Sequence, residues 1–239
     1  MSSEGVKNSR HKFIELDALI FTNLSPEHIE SHGSYENYLN AKLEIAKTLE
    51  ESPKNKKIIV VNKDDAESPK FLSTNVPTKI AYSIEDAKPL TLGKEESDFK
   101  IFGKRIITKM IGEFNVYNML AAANFAKSQN ISPEIIKRAL EKFQGVPGRM
   151  EKVEIDLDEI KGEENKNRLI RKFPPFTVIV DYAHTADSLE KVYKVFRDEN
   201  KICILGSTGG GRDKWKRPLM GAVAEKYCQK IILTNEVSL

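Results

Sequence analysis

The chain has 239 residues, 40% of them hydrophobic and 31% charged, which is the balance of a globular protein and not of a disordered one. Its 38 Lys and Arg nearly cancel its 35 Asp and Glu, leaving a net charge of +3 with the signs interspersed, so nucleic acid is not the expected partner. No apolar run approaches the ~20 residues that span a bilayer, and MSSEGVKNSRHKF lacks a signal-peptide core, so a cytoplasmic protein with no membrane partner is expected.

The first predicted element is ELDALIFTN (15–23), short and apolar and ending in polar residues, which suits a buried strand running into a loop. Beyond the loop TNLSPEHIESHG, residues 35–51 carry Tyr38, Leu39, Leu43, Ala46 and Leu49 near helical spacing. KKIIVVNKDD (56–65) and TKIAYS (78–83) read as two more strands, and residues 98–111 as a hairpin turning at Gly103. GEFNVYNMLAAANFAKSQ (112–129) predicts a helix rich in Ala and Leu. ISPEIIKRALEKF (131–143) predicts another, with Ser132 as N-cap and Pro133 in the first turn.

QGVPGR (144–149) has the glycines and proline of a linker, which divides the chain into domains 1–146 and 147–239. After it, 150–155 and 176–181 read as strands, and the charged stretch between them as a solvated excursion. A helix (187–198), the strand KICILG (201–206), a glycine-rich turn, a helix (216–228) and the strand KIILT (230–234) follow. Strands alternating with helices of this length predict an α/β fold with a parallel sheet. The sheet would stop at Leu239 without a closing helix, so the second domain is expected to be incomplete, with apolar faces exposed. Cys203 and Cys228 are too few for a disulfide framework and are expected to be buried, reduced thiols.

Five clusters could carry chemistry. Asn23, His28, His32 and Lys42 lie in or just after a loop at a strand end, where open α/β sheets place ligands; the plain alternative is polar surface. Asn115 and Asn118 could cap their helix or offer amides to a purine edge. Arg149, beside the linker, has a planar fork suited to phosphate, or is a surface arginine. Asp181, Tyr182 and His184 sit in DYAHT at the end of a buried strand, where catalytic polar groups are commonly displayed. GSTGGGRDKWKRP (206–218), with Arg212 and Lys214, follows a strand and opens a helix, so its backbone N–H groups could cradle an anion; the alternative is a plain glycine turn. It is not a Walker A loop, because Trp215 follows Lys214.

Taken in order, TNLSPEHIESHG with YLNAK, GEFNVYNMLAAA, GVPGRME, VIVDYAHT and GGGRDKWKRPLMG resemble the Mur ligases, nearest the tripeptide-synthetase branch (MurE type). The resemblance implies a partial central domain followed by an incomplete Rossmann-like domain, and an ATP-dependent, amide-forming ligase of peptidoglycan precursor synthesis. Such an enzyme adds an amino acid to a UDP-N-acetylmuramoyl peptide through an acyl phosphate. The resemblance also implies ATP and magnesium as cofactors. It makes His28 a magnesium ligand and Lys42 a carbamylated lysine holding a second ion, and it sets Asn115 and Asn118 near the adenine. Arg149 falls near the phosphates, Asp181, Tyr182 and His184 close on the nucleotide, and Arg212 and Lys214 face the same cleft.

The chain departs from that pattern in carrying no P-loop and in having Ala186 after DYAHT. The expectation is therefore a truncated ligase, a gene fragment or one piece of a split gene, that is inactive alone; supply of the missing half in trans is a separate, partner-dependent alternative. Alternatives are a non-catalytic nucleotide-binding remnant, one subunit of a split ligase, and, further off, a folylpolyglutamate synthetase-like ligase.

Overall fold

The computed structural model describes residues 1–26, 29–153, 176–206 and 214–234. A short helix α1 (Ser3–Lys7) precedes strand β1 (Ala18–Phe21). Then come α2 (Ile29–His32), α3 (Tyr35–Glu51), β2 (Ile58–Asn62), α4 (Ser68–Leu72) and β3 (Thr78–Tyr82). The three strands form a parallel sheet in the order β1-β2-β3.

The β-branched run Ile58–Val61 is what a central strand covered on both sides requires. Successive side chains of β2 enter opposite cores. Ile59 and Val61 join Phe21, Leu39, Leu49 and Phe71 beneath α3 and α4. Val60 joins Tyr82, Phe99, Ile106, Val116 and Leu120 on the other face. That second face is covered by an antiparallel sheet, β4 (Thr91–Leu92), β5 (Ser97–Ile101) and β6 (Lys104–Thr108), and by α5 (Glu113–Ser128) and α6 (Pro133–Lys142). The hairpin turns where predicted: Phe102 and Gly103 both take positive φ, 49° and 77°, as a two-residue turn between twisted strands demands. Ser132 is the N-cap of α6 and Pro133 its first residue, although the serine side chain makes no capping hydrogen bond.

Past the linker, β7 (Glu151–Val153) pairs with β8 (Val178–Val180), followed by α7 (Ala186–Val195), β9 (Ile202–Leu205), α8 (Lys216–Tyr227) and β10 (Lys230–Leu233). β9 and β10 are parallel, as expected, whereas β7 and β8 are antiparallel. Helices α7 and α8 lie on one face of β9–β10, packing Leu189, Tyr193, Met220 and Ala224 against Cys203 and Leu205. Among the described residues none covers the other face, where Ile202 and Ile204 are 66% and 72% exposed.

The cysteines overturn the expectation of free thiols. Cys203 on β9 and Cys228 at the end of α8 are bonded as a disulfide with their Cα atoms 6.0 Å apart. Residues 25 apart in sequence meet because α8 returns the chain to the start of the neighbouring parallel strand. The charged stretch after β7, the glycine-rich turn with Arg212, and His28 lie outside the described residues.

Candidate functional site

The loop after β1 leaves the sheet under tight control from the end of β2. The Asn62 side-chain amide donates to the Thr22 carbonyl at 2.8 Å, and the Leu24 N–H donates to the Asp65 carboxylate at 2.9 Å. The other oxygen of Asp65 accepts the Glu67 N–H at 2.9 Å, fixing the turn into α4. Asp64 faces the opposite way. One of its oxygens accepts both the Ile84 N–H and the Tyr117 hydroxyl, each at 2.8 Å, and so ties β2 to α5. Burial, then the adjoining Asp64, pushes the Tyr117 phenol well above its ordinary range.

Sequence reasoning treated NKDD (62–65) only as the boundary of a strand. The signal was there: an Asn and two Asp after a buried strand are residues that bond to backbone N–H groups in turns.

Within that loop region Asn23 is exposed, and His32 ends α2 with its Nε2 3.7 Å from Glu4 and its ring 5.6 Å from that of Tyr38. Lys42 is half-buried on α3, its ammonium 5.8 Å from the centroid of the same Tyr38 ring. Tyr38 thus neighbours both a histidine at the end of α2 and a lysine of α3 that the sequence had grouped together. Among the described residues no cluster of three or more His, Cys, Asp or Glu is arranged to hold a metal ion.

Asn115 and Asn118 separate. Gly112 is the N-cap of α5 and neither asparagine caps it. Asn115 is buried and its amide donates to the Ile111 carbonyl at 2.8 Å, whereas Asn118 is exposed.

The tightest grouping lies beyond the linker. The Arg149 guanidinium stacks over the Tyr182 ring at 4.3 Å, a favourable cation–π distance. The ring of His184 meets Tyr182 edge-on at 5.0 Å, and its Nδ1 lies 2.9 Å from the Tyr182 carbonyl. Asp181 spends both oxygens on backbone, accepting Met150 N–H at 2.8 Å and Ala183 N–H at 2.7 Å. Thr185 then caps α7 through a reciprocal hydrogen-bonded box with Ser188. Four residues selected from sequence, Arg149, Asp181, Tyr182 and His184, therefore form one cluster. Lys214 is exposed ahead of α8.

The two halves of the chain touch at this place. The Ser25 hydroxyl, in the loop after β1, donates to Asp187 in the first turn of α7 at 3.2 Å. Lys94 also pairs with Glu199, and Lys152 with Glu95 at 3.5 Å.

The sequence matches the Mur ligase middle domain over residues 1–126 and the Mur ligase, glutamate ligase domain over residues 167–238. The chain belongs to the Mur ligase family. Among curated Mur ligases, it is 35% identical to the UDP-N-acetylmuramoyl-L-alanyl-D-glutamate--2,6-diaminopimelate ligase of Syntrophomonas wolfei, over 99% of this chain and 47% of that protein. The same-named protein of Aquifex aeolicus is 34% identical over 99% and 46%. A solved diaminopimelate ligase of that name superposes with a TM-score of 0.62 at 25% identity, covering 98% of this chain and 46% of the other. MurF from Acinetobacter baumannii shares the fold with a TM-score of 0.71 at 19% identity, over 95% and 52%. The chain thus spans about half the length of the curated Mur ligases it matches. No helix among the described residues is long and apolar enough to cross a membrane.

Proposed function

We propose that this chain supplies part of the catalytic cleft of an ATP-dependent, amide-forming ligase of cytoplasmic peptidoglycan precursor synthesis. In this reading a carboxylate of a UDP-N-acetylmuramoyl peptide is activated as an acyl phosphate and attacked by an amino acid. The domain boundary falls at 146–147, between the left-handed glycines Gly145 and Gly148. The observation that carries the reading is the hydrogen bond from Ser25 to Asp187. It joins the strand-end loop of the middle-domain match to the helix that follows the Asp181–His184 cluster, so residues from both matched domains come together there.

Each residue then has a chemical task. Arg149 is a planar donor for the nucleotide phosphates, oriented by the Tyr182 face beneath it. Asp181 holds the backbone beside Arg149, and His184 packs edge-on against Tyr182. Exposed Asn118 offers an amide to the adenine, while buried Asn115 ties the start of α5 to the Ile111 carbonyl. Arg212 and Lys214 add positive charge toward the phosphates. ATP supplies the phosphoryl group when bound.

Magnesium fits less well: the described residues do not assemble a ligand set, so His28 and a carbamylated Lys42 are assigned to it on resemblance alone. No step is routed through it. On this reading the substrates are the UDP-sugar peptide and an amino acid, and the rest of the ligase is a partner, in cis or in trans.

Calorimetric titration of the chain with ATP and magnesium tests the proposal. Binding is expected, weakened about tenfold or more by Arg149→Ala, the loss of a charge-assisted phosphate contact. Undetectable binding, or an Arg149→Ala variant that binds as well as the parent, overturns it. A second reading, a nucleotide-binding chain without ligase activity, is separated by measuring phosphate release with substrates present and the remaining ligase segments added. Release that depends on Arg149 supports the ligase.

A further inference from the structure

We propose that Cys203 and Cys228 form a reversible thiol–disulfide couple, closed by low-molecular-weight disulfides and opened by low-molecular-weight thiols, with Cys228 as the sulfur attacked first. The two are bonded in the fold, with a Cα separation inside the usual range for a disulfide. The bridge joins β9 to the end of α8 and closes a loop that contains all of α8 and, in sequence, the glycine-rich stretch with Lys214.

The two sulfurs are not equivalent. Cys203 is 7% exposed and packed among Leu189, Leu205 and Met220, whereas Cys228 sits half-buried at the helix end where α8 gives way to β10. Thiol–disulfide exchange needs the attacking thiolate to reach a sulfur. An external thiolate therefore attacks the Cys228 sulfur. The Cys203–Cys228 bond breaks, a mixed disulfide forms on Cys228, and Cys203 leaves and takes up a proton. A second external thiolate attacks the external sulfur of that mixed disulfide and releases Cys228, so two electrons have passed to the protein and one external disulfide has formed. Closure is the reverse: Cys228 attacks an external disulfide, then Cys203 displaces the external thiol from the mixed disulfide.

The fold gives closure a physical consequence. Fixing 203 to 228 removes conformations from the unfolded chain and pins the helix end to the sheet that carries it. In a strongly reducing compartment the couple rests as two thiols and closes when the disulfide pool rises.

The test equilibrates the intact chain in glutathione buffers of varied oxidised-to-reduced ratio; one portion is quenched with acid and alkylated in urea for mass, and another is read for its thermal midpoint. Expected are no alkylatable cysteines at the oxidising end, two at the reducing end, and a midpoint higher by roughly 5–10 °C when oxidised. Two alkylatable thiols at every ratio, or an oxidised form no more heat-resistant than the reduced one, overturns the couple. The order of attack is read separately in the folded protein. Cys203→Ser should accept glutathione on Cys228, whereas Cys228→Ser should leave Cys203 unmodified until urea is added. Equal modification of both, or faster modification of Cys203, overturns the assignment of Cys228 as the sulfur attacked first.

Discussion

The carboxylate of Asp181 accepts the backbone N–H of Met150 at 2.8 Å, across 31 residues of sequence. Met150 itself holds a left-handed φ of 48°, a conformation that a non-glycine residue keeps only when neighbours impose it. Together with the pairing of β7 and β8, this contact anchors Arg149 to the strand that ends just before Asp181, so the arginine is not loose on a linker.

Replacing Asp181 by alanine should free the N–H groups of Met150 and Ala183 and cost about 1–3 kcal/mol. Hydrogen exchange at the Met150 amide should quicken in the variant. An unchanged exchange rate there means the clasp does not operate in solution.

Asp64 serves two donors through one oxygen, so its loss should exceed that of either donor. Tyr117→Phe is expected to cost about 1 kcal/mol and Asp64→Ala about 2–3 kcal/mol by urea unfolding. In the double variant the two effects should not add, because the pair is in contact. Full additivity counts against the shared oxygen.

Tyr82 is fully buried, and burial, then the charge of Asp64, raises its phenol from the ordinary 10.0 to about 12. The folded state therefore holds the proton more tightly than the unfolded chain does. Its contribution, on the order of 2–3 kcal/mol, is fully present below pH 10 and lost as the pH rises from 10 to about 12. Tyr82→Phe should flatten that part of the stability curve. Parallel curves for parent and variant up to pH 12 refute the assignment.

Gly112 opens α5 at a φ of 92°, where a side chain is strained. A Cβ there would lie 2.8 Å from Phe114 Cε1 and 3.1 Å from Val195 Cγ2, the latter at the end of α7. Gly112→Ala should lower stability by about 1–3 kcal/mol and loosen the packing of the two halves. A thermal midpoint equal to that of the parent contradicts this account.

Local chemistry made much of the fold legible. The apolar run of β2, the alanine-rich α5, the Phe102–Gly103 turn and the Ser132–Pro133 start of α6 each depend on neighbours within a few residues. The antiparallel pairing of β7 with β8 did not show, because periodicity reports that a segment is a strand and not which way its partner runs. The cystine and the two turn aspartates escaped for a related reason. Asp65 bonds to Leu24 across 41 residues, and Cys203 meets Cys228 only after a helix returns the chain. In the candidate site, Arg149, Asp181, Tyr182 and His184 were singled out one by one from their places beside a linker and a strand end. That the arginine would sit over the tyrosine ring was written in no local pattern.

The register of β7 with β8 sets Val153 directly opposite Val178. Those two residues flank the stretch 154–177, so the chain departs and returns at neighbouring points of one ribbon. The entropy of closing a loop grows only slowly with its length, so the pairing of Val153 with Val178 tolerates connections of very different size. The contact of Arg149 with Tyr182 sits at the opposite end of that ribbon, which makes Val153 and Val178 the natural seam at which to splice a reporter or a tether into the protein.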